Sequence, residues 1–262
     1  MLEFTGRKNF LFVLISICLS TTAEAALQIP KNLTESDRIK VTEILGLSTA
    51  VKVLSDPYPL GGYSGVEVGL GFEVIGTKEI SNLGSATNAQ SETNFSLLSI
   101  GKGIYNNIDF VFQFSPFTQT EAVSNFGGQI RWGFFQADHL PLHLSFMSSL
   151  NSVNFQDKIT MLSQGNDLVA GFSVKDITLY MGGGIVRTIA TFQGGETCTA
   201  AVPPVCTKNA ESITDSGKTV KEDVSDSHYL AGVNLRMDKV FFAMQMDRYT
   251  QSVFSAKLGV RF

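Results

Sequence analysis

Apolar and polar side chains alternate along most of the chain after Tyr63. The first run has apolar residues at every second position from Val66 to Val74, with Glu or Gly at the positions between them. A period of two predicts a β-strand with one apolar and one polar face. The period recurs, and it predicts ten strands, within residues 66–74, 94–104, 109–114, 129–134, 142–147, 168–175, 177–185, 229–236, 240–247 and 254–262. A phase slip at Leu97-Leu98 predicts a β-bulge in the second strand.

The connections between these predicted strands alternate in length. Long connections fall at residues 76–93, 117–125, 152–166 and 193–227, and short ones between them at residues 105–107, 136–141, 175–176 and 237–239. The last connection, near residues 248–251, is short and departs from the rhythm. Such alternation puts large loops at one end of a sheet and tight turns at the other, as in an up-and-down β-barrel.

The two faces of the predicted strands differ in charge. The apolar face is almost free of charge, and its exceptions, Lys102 and Arg248, lie close to predicted strand ends. A Lys or Arg that faces lipid at the bilayer midplane costs about 2–4 kcal/mol, so a lipid-facing surface must be nearly uncharged. The other face carries polar residues that we expect to line a lumen, since they would be costly in a sandwich core. They are Glu67, Glu73, Arg131, His143, Arg236, Asp247, Lys257 and Arg261.

These patterns predict an all-β fold, a ten-stranded antiparallel up-and-down transmembrane β-barrel with a short N-terminal helical segment. The last predicted strand runs to Phe262. Because lipid cannot satisfy an open sheet edge, we expect the first and last strands to pair. A secreted soluble β-sandwich that binds a ligand is the alternative, because its strands also alternate.

Residues 26–61 have a different pattern, which predicts a short helix and a stiff linker. Thr34 followed by Asp37 resembles a capping box with Asp in place of Glu, and Gly46 is a candidate helix end. Pro and Gly residues within 56–62 interrupt any regular element. We expect residues 26–61 to be a periplasmic segment or a plug, and residues 62–262 to form the barrel.

The first 25 residues have the three parts of a secretory signal peptide. Arg7 and Lys8 are basic, residues 10–19 are apolar, and Ala23-Glu24-Ala25 is an A-x-A cleavage site. The apolar run is too short for a membrane anchor. We therefore expect the mature chain to begin at Ala26.

Composition excludes several classes of protein. The chain of 262 residues is 44% hydrophobic and 17% charged, which rules out intrinsic disorder. Its net charge is −4 and Lys and Arg are not clustered, so we expect no nucleic-acid partner. No apolar run after the signal segment approaches 18 residues, which argues against a helical membrane protein.

The last strand carries a family resemblance. Residues 254–262, with alternating apolar residues and a terminal Phe262, resemble the C-terminal targeting strand of Gram-negative outer-membrane β-barrels. The resemblance implies a location in the cell outer membrane, a lipid bilayer around the barrel, and insertion by the barrel-assembly machinery that reads this strand. It does not indicate a subfamily.

A lumen enclosed by ten strands is narrow, because about eight strands leave room only for side chains. Many of its predicted positions are glycine, which either relieves strand coiling or leaves space for a narrow pore or for the plug. We expect a non-enzymatic protein, either a structural or surface-exposed barrel or a narrow solute channel. A channel would show conductance steps that change when Arg131 or Asp247 is neutralised.

Two catalytic arrangements fit the sequence poorly. Asp226-Ser-His228 resembles the Asp-x-His of omptin-type surface proteases, but residues 117–125 hold only Glu121 and no Asp pair to share the attacking water. His143-Leu-Ser145 is similar to the His-x-Ser of outer-membrane phospholipase A, but it faces the predicted lumen near the wrong end. We therefore predict no catalytic residues, no cofactor and no metal site, with an omptin-like protease as the alternative.

The connection 193–227 is the best candidate for contact with an external ligand. Cys198 and Cys206 lie within it, and an exported chain meets an oxidising compartment, so we expect them to form a disulfide. Loops longer than about 15 residues are usually functional or disordered. The alternative role for this loop is shielding of the barrel.

Overall fold

Ten long strands form a closed antiparallel barrel, which confirms the predicted fold class. The computed structural model describes residues 27–85, 87, 92–105, 107–115, 123–198 and 206–262. The predicted signal peptide and Glu121 lie outside these residues. The strands are β1 (Val66–Gly76), β2 (Glu92–Tyr105), β3 (Ile108–Phe114), β4 (Val123–Gln136), β5 (Leu142–Phe155), β6 (Ile159–Val174), β7 (Ile177–Phe192), β8 (Glu196–Cys198), β9 (Cys206–Lys208), β10 (Val220–Met237), β11 (Val240–Arg248) and β12 (Ser252–Arg261).

The barrel closes between its first and last strands. β1 pairs with β12 in regular antiparallel register from Glu67–Arg261 to Ile75–Val253. β7 pairs directly with β10, because β8 and β9 form a separate two-stranded hairpin in the connection between them. Closure leaves the barrel wall without the open sheet edge that lipid cannot satisfy.

The connections give the barrel two distinct ends. Among the described residues, those at 107, 137–141, 175–176 and 238–239 form what we call the turn end. Those at 77–85, 87, 115, 156–158, 193–198, 206–219 and 249–251 form the loop end. The prediction of a long loop at 152–166 is wrong, because β5 continues to Phe155 and β6 begins at Ile159. The fourth long connection ends earlier than predicted, where β10 begins at Val220.

A reversal of polarity near the loop end explains the wrong loop. On β6, the inward side chains of Ile159 and Met161 are buried, whereas Gln164 and Asn166 point outward and are exposed. Nearer the turn end the order is the reverse, with exposed Leu168 outside and buried Asp167 inside. The period of two therefore persists, but the apolar residues move from the outer to the inner face. A prediction that expects them on the outer face ends the strand at that point.

The same reversal accounts for the phase slip at Leu97-Leu98, where the predicted bulge is wrong. Leu97 is buried inside the loop end, and Leu98 lies on the outer face. Pairing with β1 is regular through both residues. The register shift of β2 lies instead between Gly103 and Tyr105, against β3.

Apolar side chains cover the outside of the barrel between its two ends. Exposed members of this belt include Val68, Ile100, Phe110, Phe112, Ile130, Trp132, Phe146, Leu168, Phe172, Leu179, Met181, Tyr229, Met244 and Phe254. Lys102 Nζ, on the same face, donates to the carbonyl oxygen of Tyr63 at the turn end. A continuous apolar exterior around a closed barrel is the surface that a bilayer solvates.

The N-terminal region contains the predicted short helix. α1 (Glu35–Val41) begins with a complete capping box between Thr34 and Asp37, and a π-helical turn (Thr42–Leu47) continues it one residue beyond Gly46. Among the described residues, none of the helices has the length and apolar composition needed to cross a bilayer.

Candidate functional site: the occupied lumen

We call residues 27–61 the inner segment, because residues 42–55 lie within the barrel. The side chains from Thr42 to Ser55 are buried, apart from the half-buried Glu43. The wall donates hydrogen bonds to its backbone, from Ser163 Oγ to the carbonyl oxygen of Gly46 at 3.0 Å and from Asn151 Nδ2 to that of Thr49 at 2.7 Å. The segment therefore fills space that ten strands enclose.

An apolar layer holds the inner segment near the loop end. Ile44, Leu45 and Leu47 of the π-helical turn are fully buried there. They belong to a hydrophobic cluster with inward side chains of the wall: Ile75, Phe95, Val153, Phe155, Ile159, Met161, Val186, Ala190 and Phe192. Burial of an aliphatic side chain contributes about 1.5–3 kcal/mol, so this layer is a strong attachment.

Asp56 is the centre of a polar anchor near the turn end. Its carboxylate lies 3.5 Å from His143 Nε2 and 3.6 Å from Arg261 Nη1. Arg131 is fully buried and donates to Ser55 Oγ at 3.0 Å and to the carbonyl oxygen of Asp56. Three predicted lumen residues thus contact the same two residues of the inner segment.

A second ionic group connects the first and last strands. Lys257 Nζ donates to Glu67 Oε1 at 2.7 Å, and Arg261 Nε lies 3.7 Å from Glu67 Oε2. All three side chains are buried, and each was predicted to line the lumen. Their pairing lies across the seam at which the barrel closes.

Lys52 of the inner segment provides the counter-charge for Glu73. The Lys52 ammonium is completely buried, 3.8 Å from Glu73 Oε2, and it also donates to the carbonyl oxygens of Ser48 and Ala50 at 2.6 Å. The strand pattern placed Glu73 in the lumen but did not reveal Lys52 as its partner, because periodicity in the strands contains no information on the inner segment.

His228 lies between two carboxylates within the lumen. Its Nδ1 is 3.4 Å from Asp167 Oδ1 and its Nε2 is 3.8 Å from Asp247 Oδ1, and its ring stacks on Tyr249. Asp167 was not among the predicted lumen residues, because it directly precedes the predicted strand, although it has the inward parity of Val169. With its side chain only 3% exposed, His228 is beyond the reach of a protein substrate in solvent.

Asp226 and Arg236 occupy other positions. Asp226 Oδ2 accepts from Thr250 Oγ1 at 3.4 Å, near the loop end. Arg236 differs from the expectation of a lumen position: it is exposed at the turn end, where its Nε donates to the carbonyl oxygen of Asp238. Arg236 is the second-last residue of β10, where the strand extends beyond the enclosed lumen, so its inward parity does not bury it.

Glycines in the wall make room for large side chains. A β-carbon on Gly171 or Gly232 would overlap the ring of His143 or Tyr180 on the paired strand. Gly46 of the inner segment makes room for a side chain of the wall, because a β-carbon there would lie 2.5 Å from Thr188 Cγ2. These glycines serve packing inside a filled barrel.

The beginning of the inner segment is bound to the loop end of the barrel. Arg38 of α1 is buried, and it donates to Glu222 Oε1 at 2.7 Å and to Asp215 Oδ1 at 3.1 Å. Lys31 Nζ lies 2.6 Å from Glu211 Oε2, and this contact holds the pKa of Glu211 below its usual value. The long connection 193–219 is thus bound to the inner segment.

The predicted disulfide between Cys198 and Cys206 is confirmed. It joins β8 to β9, which are exposed in the long connection. The cross-link closes a small ring in this loop, far in sequence from the barrel seam.

A closed antiparallel barrel with an even number of strands, an apolar exterior and charged side chains in its lumen is the architecture of the outer-membrane β-barrels, and this chain has that class of fold. No protein-family profile and no curated protein sequence matches it.

Solved structures with a similar fold are barrels of Gram-negative outer-membrane proteins. Ail, the attachment invasion locus protein of Yersinia pestis, is 12% identical with a TM-score of 0.30, over 76% of this chain and 98% of that chain. The N-terminal β-barrel domain of Pseudomonas aeruginosa OprF is 12% identical with a TM-score of 0.30, over 77% and 98%. Omp33 of Acinetobacter baumannii is 6% identical with a TM-score of 0.29, over 75% and 96%. These distant likenesses indicate no subfamily.

Proposed function

We propose that the protein is a non-enzymatic barrel of the Gram-negative outer membrane whose lumen is closed by its own inner segment, and that it acts through its surface-exposed loop end. The apolar exterior belt supports the location, since only lipid makes such a belt favourable. Insertion by the barrel-assembly machinery through β12 is part of this proposal.

The burial of the inner segment is the observation that carries the proposal. Its apolar layer and its anchor at Asp56 lie at different depths of the same lumen, so the segment is attached along its length. A ten-stranded barrel encloses little space beyond its own side chains, and here a chain segment occupies that space.

Single-channel recording of the refolded mature protein in planar bilayers tests the closed lumen. We expect a steady baseline without discrete steps. Stable steps in the unaltered protein, altered by neutralising Arg131 or Asp247, would establish the narrow solute channel instead and overturn the closed barrel.

The narrow channel is the second candidate, because the lumen wall is polar and charged. It requires displacement of the inner segment, and Asp56→Ala removes the carboxylate that contacts His143 and Arg261. Conductance steps in Asp56→Ala, with none in Asp176→Ala at an exposed turn, would favour a channel gated by the segment.

A protease assay addresses the omptin-like alternative. We expect no cleavage of a mixed peptide substrate by the refolded protein in detergent with lipopolysaccharide. Cleavage by the unaltered protein that His228→Ala abolishes, with the barrel still folded, would contradict a non-enzymatic function.

A further inference from the structure

We infer that residues 27–61 cross the membrane inside the barrel and enter the lumen from the cell-surface side. The inference rests on the outer-membrane location proposed above, and it adds the direction in which the inner segment passes through the lumen. It follows that the start of the mature chain is displayed outside the cell, although β1 begins at the opposite end of the barrel.

The beginning of the inner segment is bound at the loop end. Leu33 forms a parallel β-bridge with Thr214 of the long connection. Further towards the chain start, the carbonyl oxygen of Leu27 accepts from Gln156 Nε2 at 2.8 Å, in the turn between β5 and β6. Two separate loops of the same end therefore contact residues 27–33.

The end of the inner segment is bound at the turn end. The amide of Leu60 donates to Asp109 Oδ2 at 2.8 Å, near the start of β3. Asn107 Nδ2, in the turn that precedes β3, donates to the Tyr58 hydroxyl at 3.2 Å. β1 then starts at Val66 from this end of the barrel.

Contacts between these two groups follow the barrel axis in sequence order. Gly46 lies against Ser163 and Thr188 within the apolar layer, and the Leu54 amide donates to Gln245 Oε1 at 3.1 Å nearer the turn end. The segment thus runs once through the lumen from the loop end to the turn end, without doubling back.

The loop end is the cell-surface end for two reasons. Outer-membrane barrels have short turns on the periplasmic side and longer loops outside. The outward side chains of β10 also become polar towards the loop end, at Lys221, Asp223, Ser225 and Ser227, and those of β6 are polar at Gln164 and Asn166, with Leu162 as the exception. A wall that extends from lipid into water at one end has this polarity.

The displayed residues form a single surface with the long connection. The Lys31–Glu211 ion pair and the hydrogen bond from Asn32 Nδ2 to Ser85 Oγ at 2.6 Å join residues 31–32 to two different loops. A partner that binds the loop end therefore meets the start of the chain and the loops as one composite face.

Cysteine labelling of intact cells tests the direction. A membrane-impermeant maleimide is applied to three single substitutions at exposed positions, Gln28→Cys, Lys218→Cys in the long connection and Asp176→Cys at the turn end. The unaltered protein, whose Cys198 and Cys206 are disulfide-bonded, gives the background. We expect Gln28→Cys and Lys218→Cys to be labelled equally on intact cells, and Asp176→Cys to be labelled only after the outer membrane is permeabilised.

The possible outcomes separate the two proposals. If Lys218→Cys is labelled and Gln28→Cys is labelled only after permeabilisation, the chain does not start at the cell surface, and the outer-membrane barrel stands. If Lys218→Cys and Asp176→Cys behave alike, or in the reverse order, the proposed location or orientation fails and the inference fails with it. For each variant, a difference in gel migration between unheated and heated samples shows that the barrel is folded before it is labelled.

Discussion

Nη1 of Arg261, near the end of the last strand, lies 3.6 Å from Oδ2 of Asp56, which precedes the first strand by ten residues of sequence. The strand that closes the barrel therefore also holds the segment inside it. Arg261 further contacts Glu67 of β1, so a single guanidinium connects the seam with the inner segment.

Removal of the Asp56 carboxylate should loosen this anchor. We expect Asp56→Ala to lower the free energy of unfolding by about 1–3 kcal/mol, because the buried Arg261 guanidinium loses the carboxylate 3.6 Å away that balances its charge. Urea unfolding in lipid vesicles, followed by Trp132 fluorescence, measures the change. Asp176→Ala at the exposed turn is the matched control, with an expected effect within about 0.5 kcal/mol. Equal effects of the two substitutions would refute the anchor.

A methyl group on Gly46 should push the inner segment away from the wall. We expect Gly46→Ala to cost about 1–3 kcal/mol, since its β-carbon would lie 2.5 Å from Thr188 Cγ2. Thr188→Ser removes that methyl and retains the hydroxyl that contacts Ser163.

The double variant Gly46→Ala/Thr188→Ser should therefore recover much of the stability that Gly46→Ala loses, and the double-mutant cycle gives the coupling between segment and wall. Strict additivity of the two substitutions would show that residue 46 does not contact β7.

Arg38 should be needed to fasten α1 to the loop end. We expect Arg38→Met to destabilise the protein by about 3 kcal/mol, because it leaves the largely buried Glu222 without its partner. Arg236→Met, at an exposed arginine of the turn end, provides the comparison. Proteolysis of the loop end should accelerate in Arg38→Met alone, and unchanged cleavage would contradict the proposed attachment.

Two substitutions on the outer face of β6 should distinguish lipid from water. We expect Leu168→Arg to destabilise the barrel by about 2–4 kcal/mol and Gln164→Arg by about 1 kcal/mol or less, because the cost of an arginine falls towards the interface. Urea titration of the folded fraction in vesicles measures both. A larger cost at Gln164 would place the membrane boundary closer to the loop end than the polarity of the wall indicates.

The outer face of the barrel could be predicted from the sequence because lipid acts on each strand separately. An outward side chain in the belt must be apolar whatever its neighbours are, so the alternation from Val66 to Val74 or from residue 254 to 262 indicates a strand without knowledge of its partners. The strand number and most lumen positions, such as Glu67, Arg131 and Lys257, follow from that parity. The parity could not show how these side chains pair, because pairing depends on which strands become neighbours.

The sequence by itself determined the class of fold, the capping box of α1 and the side of each strand within the lipid belt, because these depend on local periods and on the solvent outside. Only the tertiary structure decided the limits of β5 and β6, the position of Asp167 beside His228 and the path of residues 27–61. At the loop end, water surrounds the wall and a packed apolar segment fills the lumen. The same period of two therefore has the opposite polarity there. That reversal arises from a contact between the start of the chain and strands far from it in sequence, such as Gly46 with Thr188, and no local pattern contains it.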